Sequence, residues 1–258
     1  TFPPDPLAAM PDAPELGDGL RAYWGVLHAH STYSDGAGPP DYAYAVARAN
    51  GLHFLALTDH SRDLDAARWD ELAQAAQRAT TANFIALRGF EWTHRTLGHI
   101  NVFGASDFAS RDEPAADTLE EFYAWLSAQP SAIAQFNHPY WPSFDRFAYR
   151  AELSRTIVLQ EVGADNPLDN GYTRYESAYL NSLATGWRPA PANNADTHNT
   201  RWGADTPHRT GIVAALLTEA DLLAALRARR VFATEDANLA LALKANGVWM
   251  GSSITTTG

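Results

Sequence analysis

Gly25-Val26-Leu27-His28-Ala29-His30 places two imidazoles two residues apart at the end of an apolar run. That run, residues 22–27, reads as a short buried strand. Side chains at i and i+2 of a strand share a face, so both rings can reach one centre. Ser34-Asp35-Gly36 follows as a turn signal that can fold a carboxylate back over the same face. Two imidazoles and a carboxylate around one point make a nitrogen and oxygen donor set for a transition metal. The chain has no cysteine, which excludes thiolate ligands and disulfides.

Later apolar stretches end in the same way. Residues 53–58 lead to Asp59-His60, 84–87 to Glu91, 132–136 to Asn137-His138-Pro139, and 190–195 to Asp196-Thr197-His198. Catalytic groups of α/β barrels gather at the carboxyl ends of strands, so these side chains could face one cavity. His99 instead begins its strand, as it would if that segment returned towards the cavity. Glu91 lies in a mostly apolar stretch, where an unpaired charge is costly and a metal is the simplest partner. Each residue also has a plainer reading. Asp59 could hold His60, His138 could mark a turn, and Glu91 could pair with Arg88 or Arg95. Taken together, those readings leave the recurrence of acids and imidazoles at strand ends unexplained. His53 precedes its strand and reads as structural, Asp59 as orienting an imidazole, and His94 as a solvated loop residue.

The elements that must position these groups alternate. Helices are expected over 41–50, 65–79, 118–128, 172–183 and from 218 to about 229, with Thr118-x-x-Glu121 as a capping box. Strands are expected over 99–104, 156–162 and 210–217 besides those above, with 231–233 and 239–250 extended and Asn246-Gly247 as a hairpin turn. This is an α/β pattern whose strands suit burial on both faces, and seven or so units favour a barrel over an open sheet.

With 46% hydrophobic and 19% charged residues, the 258-residue chain can bury a sizeable core. A net charge of −11 argues against a surface that grips nucleic acid by its phosphates. No apolar run reaches the 18 residues of a membrane span. The expected organisation is a Pro-rich leader over 1–20, a main domain over 21–235 and an extended hairpin over 236–258. The start at Thr1 and the abrupt C-terminal stop suggest processing and the stub of a longer chain. Cytoplasmic and exported locations both stay open, as does the oligomeric state.

The set His28-x-His30, Ser34-Asp35-Gly36, Thr58-Asp59-His60, Glu91, Gly98-His99, Asn137-His138-Pro139 and Asp196-x-His198 resembles the PHP (polymerase and histidinol phosphatase) superfamily. Arg209-Thr210-Gly211-Ile212 and Gly98-His99-Ile100-Asn101 look more like its carbaryl-hydrolase-like (CehA/McbA) branch. The resemblance implies a distorted (β/α)7 barrel with two or three divalent ions, zinc, manganese or iron. One would be held by His28, His30, Glu91 and Asp196. A second would share Glu91 and take His99 and His138; a third would take Asp35, His60 and His198. A water bridging the metals at Glu91 would supply hydroxide. Arg209, with His208 and Arg62, would grip an anionic group, and His208 could protonate the leaving group. Trp141, Trp202 and Tyr140 could wall an aromatic pocket. The implied activity is hydrolysis of a small phosphorylated metabolite, with no nucleic-acid or membrane partner. The alternatives are hydrolysis of another ester, a carbamate or an amide, and a non-catalytic metal-binding domain.

Overall fold

The computed structural model describes residues 12–140, 143–166 and 171–255. Its main sheet holds β1 (Glu15–Gly17), β2 (Leu20–Val26), β3 (Phe54–Leu57), β4 (Ile85–His94), β5 (Gly98–Phe103) and β6 (Ile133–Asn137). It continues with β7 (Ile157–Asn166), β8 (Gly171–Arg174), β9 (Ala190–Asn194), β10 (Arg209–Ala214) and β11 (Val231–Thr234). The order is β11-β10-β2-β3-β4-β5-β6-β7-β8, with β1 on β2 and β9 on β7. The α/β expectation holds, and the sheet curls into a distorted barrel. The distortion comes from β5 and β10, which run antiparallel to both neighbours.

Local chemistry explains the β4–β5 turn. His94 Nδ1 accepts the amides of Thr96 and Leu97 at 3.2 and 3.1 Å. His94 is therefore a turn clamp, which corrects its reading as a solvated residue. The tight turn sends β5 straight back, so His99 starts its strand beside Thr93 of β4 and Asn137 of β6.

The barrel closes where β9 meets β2 and β10. An isolated parallel bridge joins Ala29 to Thr197, and the His30 amide donates to the Thr197 carbonyl at 2.9 Å. Lower down, Thr210 Oγ1 accepts from the Asn193 amide and donates towards the Asn193 carbonyl, both at 3.0 Å.

Alternation along the strands sorts the barrel lining into levels. Phe54, Ile85, Phe103, Ile133, Leu159 and Ile212 form an apolar floor, against which Leu222 and Leu226 of the helix Glu219–Arg227 pack. Above it come the buried amides of Asn101, Gln135 and Asn194. Glu91, Asn137 and the histidines lie beyond. The opposite strand faces carry Leu55, Leu57, Phe90, Trp92, Ile100 and Phe136 into the larger core under the helices.

Most helices start where their caps predict. Thr118 and Glu121 form the full capping box of Leu119–Ser127, and Thr218 accepts the Asp221 amide at the start of Glu219–Arg227. The helix expected over 172–183 is displaced. Residues 171–174 instead pair with the end of β7, and the helix runs Glu176–Thr185. Tyr172 makes this arrangement possible by lying across Gly163, where a Cβ would stand 1.9 Å from its hydroxyl. The extended run expected over 239–250 narrows to the hairpin of β12 (Lys244–Ala245) and β13 (Val248–Trp249), turned at Asn246-Gly247 with both φ positive. No helix among the described residues is long and apolar enough to cross a membrane.

Candidate metal centre

All nine sequence-predicted donors converge. Their atoms form four overlapping groups: His30, Asp35, His60 and His198; His28, His138 and Asp196; His28, His30 and Glu91; and Glu91, His99 and His138. Glu91 is fully buried on β4, and its Oε1 lies 3.2 Å from His28 Nε2, 3.3 Å from His99 Nδ1 and 3.4 Å from His138 Nε2. Its Oε2 lies 2.7 Å from His60 Nδ1. Asp196 Oδ1 sits 3.0 and 3.1 Å from the Nε2 atoms of His28 and His30. Asp35 meets His198 Nε2 at 3.3 Å and His60 Nε2 at 3.4 Å.

Backbone placement makes this possible. β2 ends at Val26, and a bend at Leu27 lets Leu27 join the barrel floor while His28 enters the cluster. Gly36 lets the loop fold tightly over His30: a Cβ there would stand 2.5 Å from the His30 carbonyl carbon. His138 and Asp196 both adopt positive φ, 24° and 46°, an uncommon state for residues with a side chain and one concentrated at functional sites.

The charges are strongly coupled. Burial works against the protonated form of His28, but Asp196, Glu161 and Glu91 outweigh it and hold its pKa well above the imidazole range. For His60 burial is likewise overcome, by Asp35 and Glu91, and the pKa rises to about 10. Burial opposes the ionised form of Glu91, yet His99, His28 and His138 keep its pKa well below the usual carboxylate range. Hydrogen bonds from His198 and His60 likewise hold the Asp35 pKa below the usual carboxylate range.

Among the described residues, Asp196 Oδ1 and His99 Nδ1 are buried with no hydrogen bond of good geometry, although ring nitrogens stand 3.0 and 3.1 Å from the first and Glu91 Oε1 stands 3.3 Å from the second. His28 Nε2 and His30 Nε2 face each other at 3.3 Å, both turned to the same carboxylate oxygen. Imidazole nitrogens and carboxylate oxygens aimed at common points, with well-formed hydrogen bonds missing, fit divalent cations of the borderline class.

No protein-family model and no curated protein matches the sequence. Among solved structures, it is similar to a two-domain protein from Bacteroides vulgatus described as containing a predicted PHP-like metal-dependent phosphoesterase. That likeness has a TM-score of 0.64 at 22% identity, over 87% of this chain and 68% of the other. The fold is PHP-like. PsfC from Pseudomonas syringae is also similar, with a TM-score of 0.52 at 18% identity over 74% of this chain and 82% of that one.

The PHP-like barrel leaves two predicted side chains outside the cluster. Arg209 donates to the carbonyls of Gly203, Thr206 and His208, each at 2.7 Å, and burial pushes its pKa down to about 10. Strand parity is the reason: Thr210 faces the barrel interior, so Arg209 faces away. His208 packs tilted against Tyr172, ring centres 3.9 Å apart, and belongs to none of the donor groups. The structure brings neither of these two expected substrate-contacting residues into the donor cluster. Arg62 pairs with the neighbouring Asp63 at 3.3 Å. Trp202 is buried and donates to the His30 carbonyl at 3.1 Å, so it supports the site from beneath. Tyr140 is exposed at the rim, packed edge-on to Tyr175, while Trp141 lies outside the described residues.

Supporting residues also emerge. Asp59 Oδ1 accepts from Ser34 Oγ at 2.7 Å, and Ser34 reaches His30 Nδ1 at 3.2 Å, so Asp59 orients an imidazole through a serine. His53 Nδ1 accepts the Trp24 amide, a structural role. Thr93 and Asn137 donate to the two oxygens of Glu91 at 3.0 and 2.8 Å. Sequence reasoning missed Glu161, buried on β7 beside His28. A carboxylate within Ile157-Val158-Leu159-Gln160-Glu161-Val162 carries the same signal that singled out Glu91.

Proposed function

We propose that this protein is a metal-dependent hydrolase whose substrate is a small phosphate ester. The supporting observation is the set of four overlapping donor groups, two of them sharing Glu91, with Asp196 Oδ1 and His99 Nδ1 buried and lacking a well-formed hydrogen bond. His28, His30, Glu91 and Asp196 would hold one cation, Glu91, His99 and His138 a second, and Asp35, His60 and His198 a third. Divalent cations supply a water of lowered pKa and offset negative charge on substrate oxygens.

The chain's own residues orient and shield this centre. His28 and His30 have no exposed side-chain surface, whereas those of His99, His138 and His198 are 26%, 20% and 22% exposed. Substrate therefore approaches over the latter three and half-exposed Asp35. A purely structural metal site is closed on all sides, so this one-sided opening favours catalysis over a non-catalytic domain. A neutral ester, carbamate or amide is the second reading. It gains from the placement of Arg209 away from the cluster and from the carbaryl-hydrolase-like motif around it.

Elemental analysis of the purified protein, paired with p-nitrophenyl phosphate and p-nitrophenyl acetate assays, tests the proposal. The expected result is two or three equivalents of zinc, manganese or iron, with phosphate turnover lost on chelation and restored by metal. Acetate turnover alone would favour the second reading. Failure to bind metal after reconstitution would refute both.

A further inference from the structure

Glu161 belongs to none of the donor groups, yet it touches two of their members. Its Oε1 accepts from His28 Nδ1 at 3.0 Å, Asn194 Nδ2 at 2.9 Å and Gln135 Nε2 at 3.4 Å. Its Oε2 accepts the main-chain amide of His138 at 2.5 Å. The residue is completely buried, and these four donors are where its carboxylate is spent.

Each contact has a consequence for the centre. A carboxylate only accepts, so the hydrogen of His28 facing it sits on Nδ1. When the ring gives up its second proton to a cation, Nε2 presents its lone pair at the point shared with Glu91 Oε1, at 3.2 Å, and Asp196 Oδ1, at 3.0 Å. His138 holds φ at +24°, a state its own backbone disfavours, and the bond from its amide to Glu161 restrains it there. The two histidines come from different strand ends, after β2 and after β6, and their rings stack at 5.6 Å. Each also faces Glu91 Oε1.

We infer that Glu161 is a positioning residue that presets His28 and His138 together, so that the two cation sites sharing Glu91 fill as a pair. The inference rests on the metal-centre reading above. Gln135 and Asn194 serve it in turn. Their amides fill the remaining acceptor positions of Oε1 and separate the carboxylate from the apolar floor.

Glu161→Gln in the full chain tests this, because an amide of the same size has only one oxygen. It can accept from His28 or from the His138 amide, not both. Zinc affinity is measured by competition with a chromophoric chelator, stoichiometry by titration, and ligand geometry by the visible spectrum of the cobalt-loaded protein. The expected result is zinc binding about 10–100-fold weaker, a changed cobalt spectrum, and sequential rather than paired filling. Circular dichroism of the metal-free variant should match the parent. If Glu161→Gln does not fold, Glu161→Asp takes its place, keeping the charge but shortening the reach, and weakened zinc binding is again expected. Parental affinity, filling and spectrum in either folded variant would overturn the inference alone. A parent protein that binds none of zinc, manganese or iron would overturn the metal reading and the inference with it.

Discussion

Arg209 and Thr210 show how one residue's step along a strand assigns chemistry. Both follow the Asp-x-His motif closely in sequence, and an arginine there invites a role in gripping an anion. In the barrel, Thr210 takes the inward position and Arg209 the outward one, where three carbonyls of the 203–208 loop accept three of the five guanidinium hydrogens. The planar fork reaches these carbonyls from two separate nitrogens, whereas a lysine ammonium offers all its hydrogens from one. Arg209→Lys should therefore cost about 1–3 kcal/mol of stability, read by urea unfolding, through carbonyls left unpaired. KM for p-nitrophenyl phosphate and for p-nitrophenyl acetate should both stay at the parental value. A rise confined to the phosphate would return Arg209 to the site. Glu161 is the converse case. Its strand marks it as a costly charge, but His28, its partner, is 133 positions away in sequence and only the fold joins them.

At the scale of elements, the PHP-like barrel depends on how its seam is closed. β9 and β10 meet through the Thr210 hydroxyl, which accepts the Asn193 amide and has two acceptors within reach of its one hydrogen, the Asn193 carbonyl at 3.0 Å and Asn194 Oδ1 at 3.1 Å. Asn194 Oδ1 accepts the Leu27 amide as well, at 2.7 Å, at the bend that delivers His28. The seam and the metal centre are thus one hydrogen-bonded unit. Thr210→Val keeps the shape and deletes the hydroxyl, leaving the buried Asn193 amide without its acceptor. A loss of about 1–3 kcal/mol in chemical denaturation is expected, with Thr210→Ser recovering most of it. Unchanged stability in Thr210→Val would mean that the seam is held by other contacts. The same scale explains the displaced helix near residue 172. Helical spacing of apolar residues competes there with a strand pairing available only because β7 extends past the barrel rim.

Across the whole molecule, the centre collects carboxylates and imidazoles from most of the barrel's strands, and protons and cations compete for them. In the metal-free protein the His60 pKa is raised to about 10. A raised pKa adds stability fully below the unfolded value of about 6.5, and that contribution fades as pH climbs towards the folded one. Cation binding displaces the proton and so strengthens over the same interval. The difference in Tm between the zinc-loaded and chelated protein should accordingly widen from pH 6.5 to pH 9 in thermal scans. A constant or narrowing difference would show that the imidazoles do not exchange protons for metal.

The sequence alone determined the kind of chemistry, since histidines and acids at the ends of apolar strands are a local pattern that residue types and i, i+2 spacing reveal. It likewise determined the α/β class and most helix starts, because caps such as Thr118 with Glu121 act within a few residues. Tertiary structure decided which donors share a centre, which strands run backwards, and which neighbours support or leave the site. Those outcomes rest on contacts between residues far apart in the chain, such as His28 with Glu161 and Ala29 with Thr197. They also rest on strand parity, which one bend at Leu27 is enough to reset. No local propensity carries that information, because it arises only when the barrel closes.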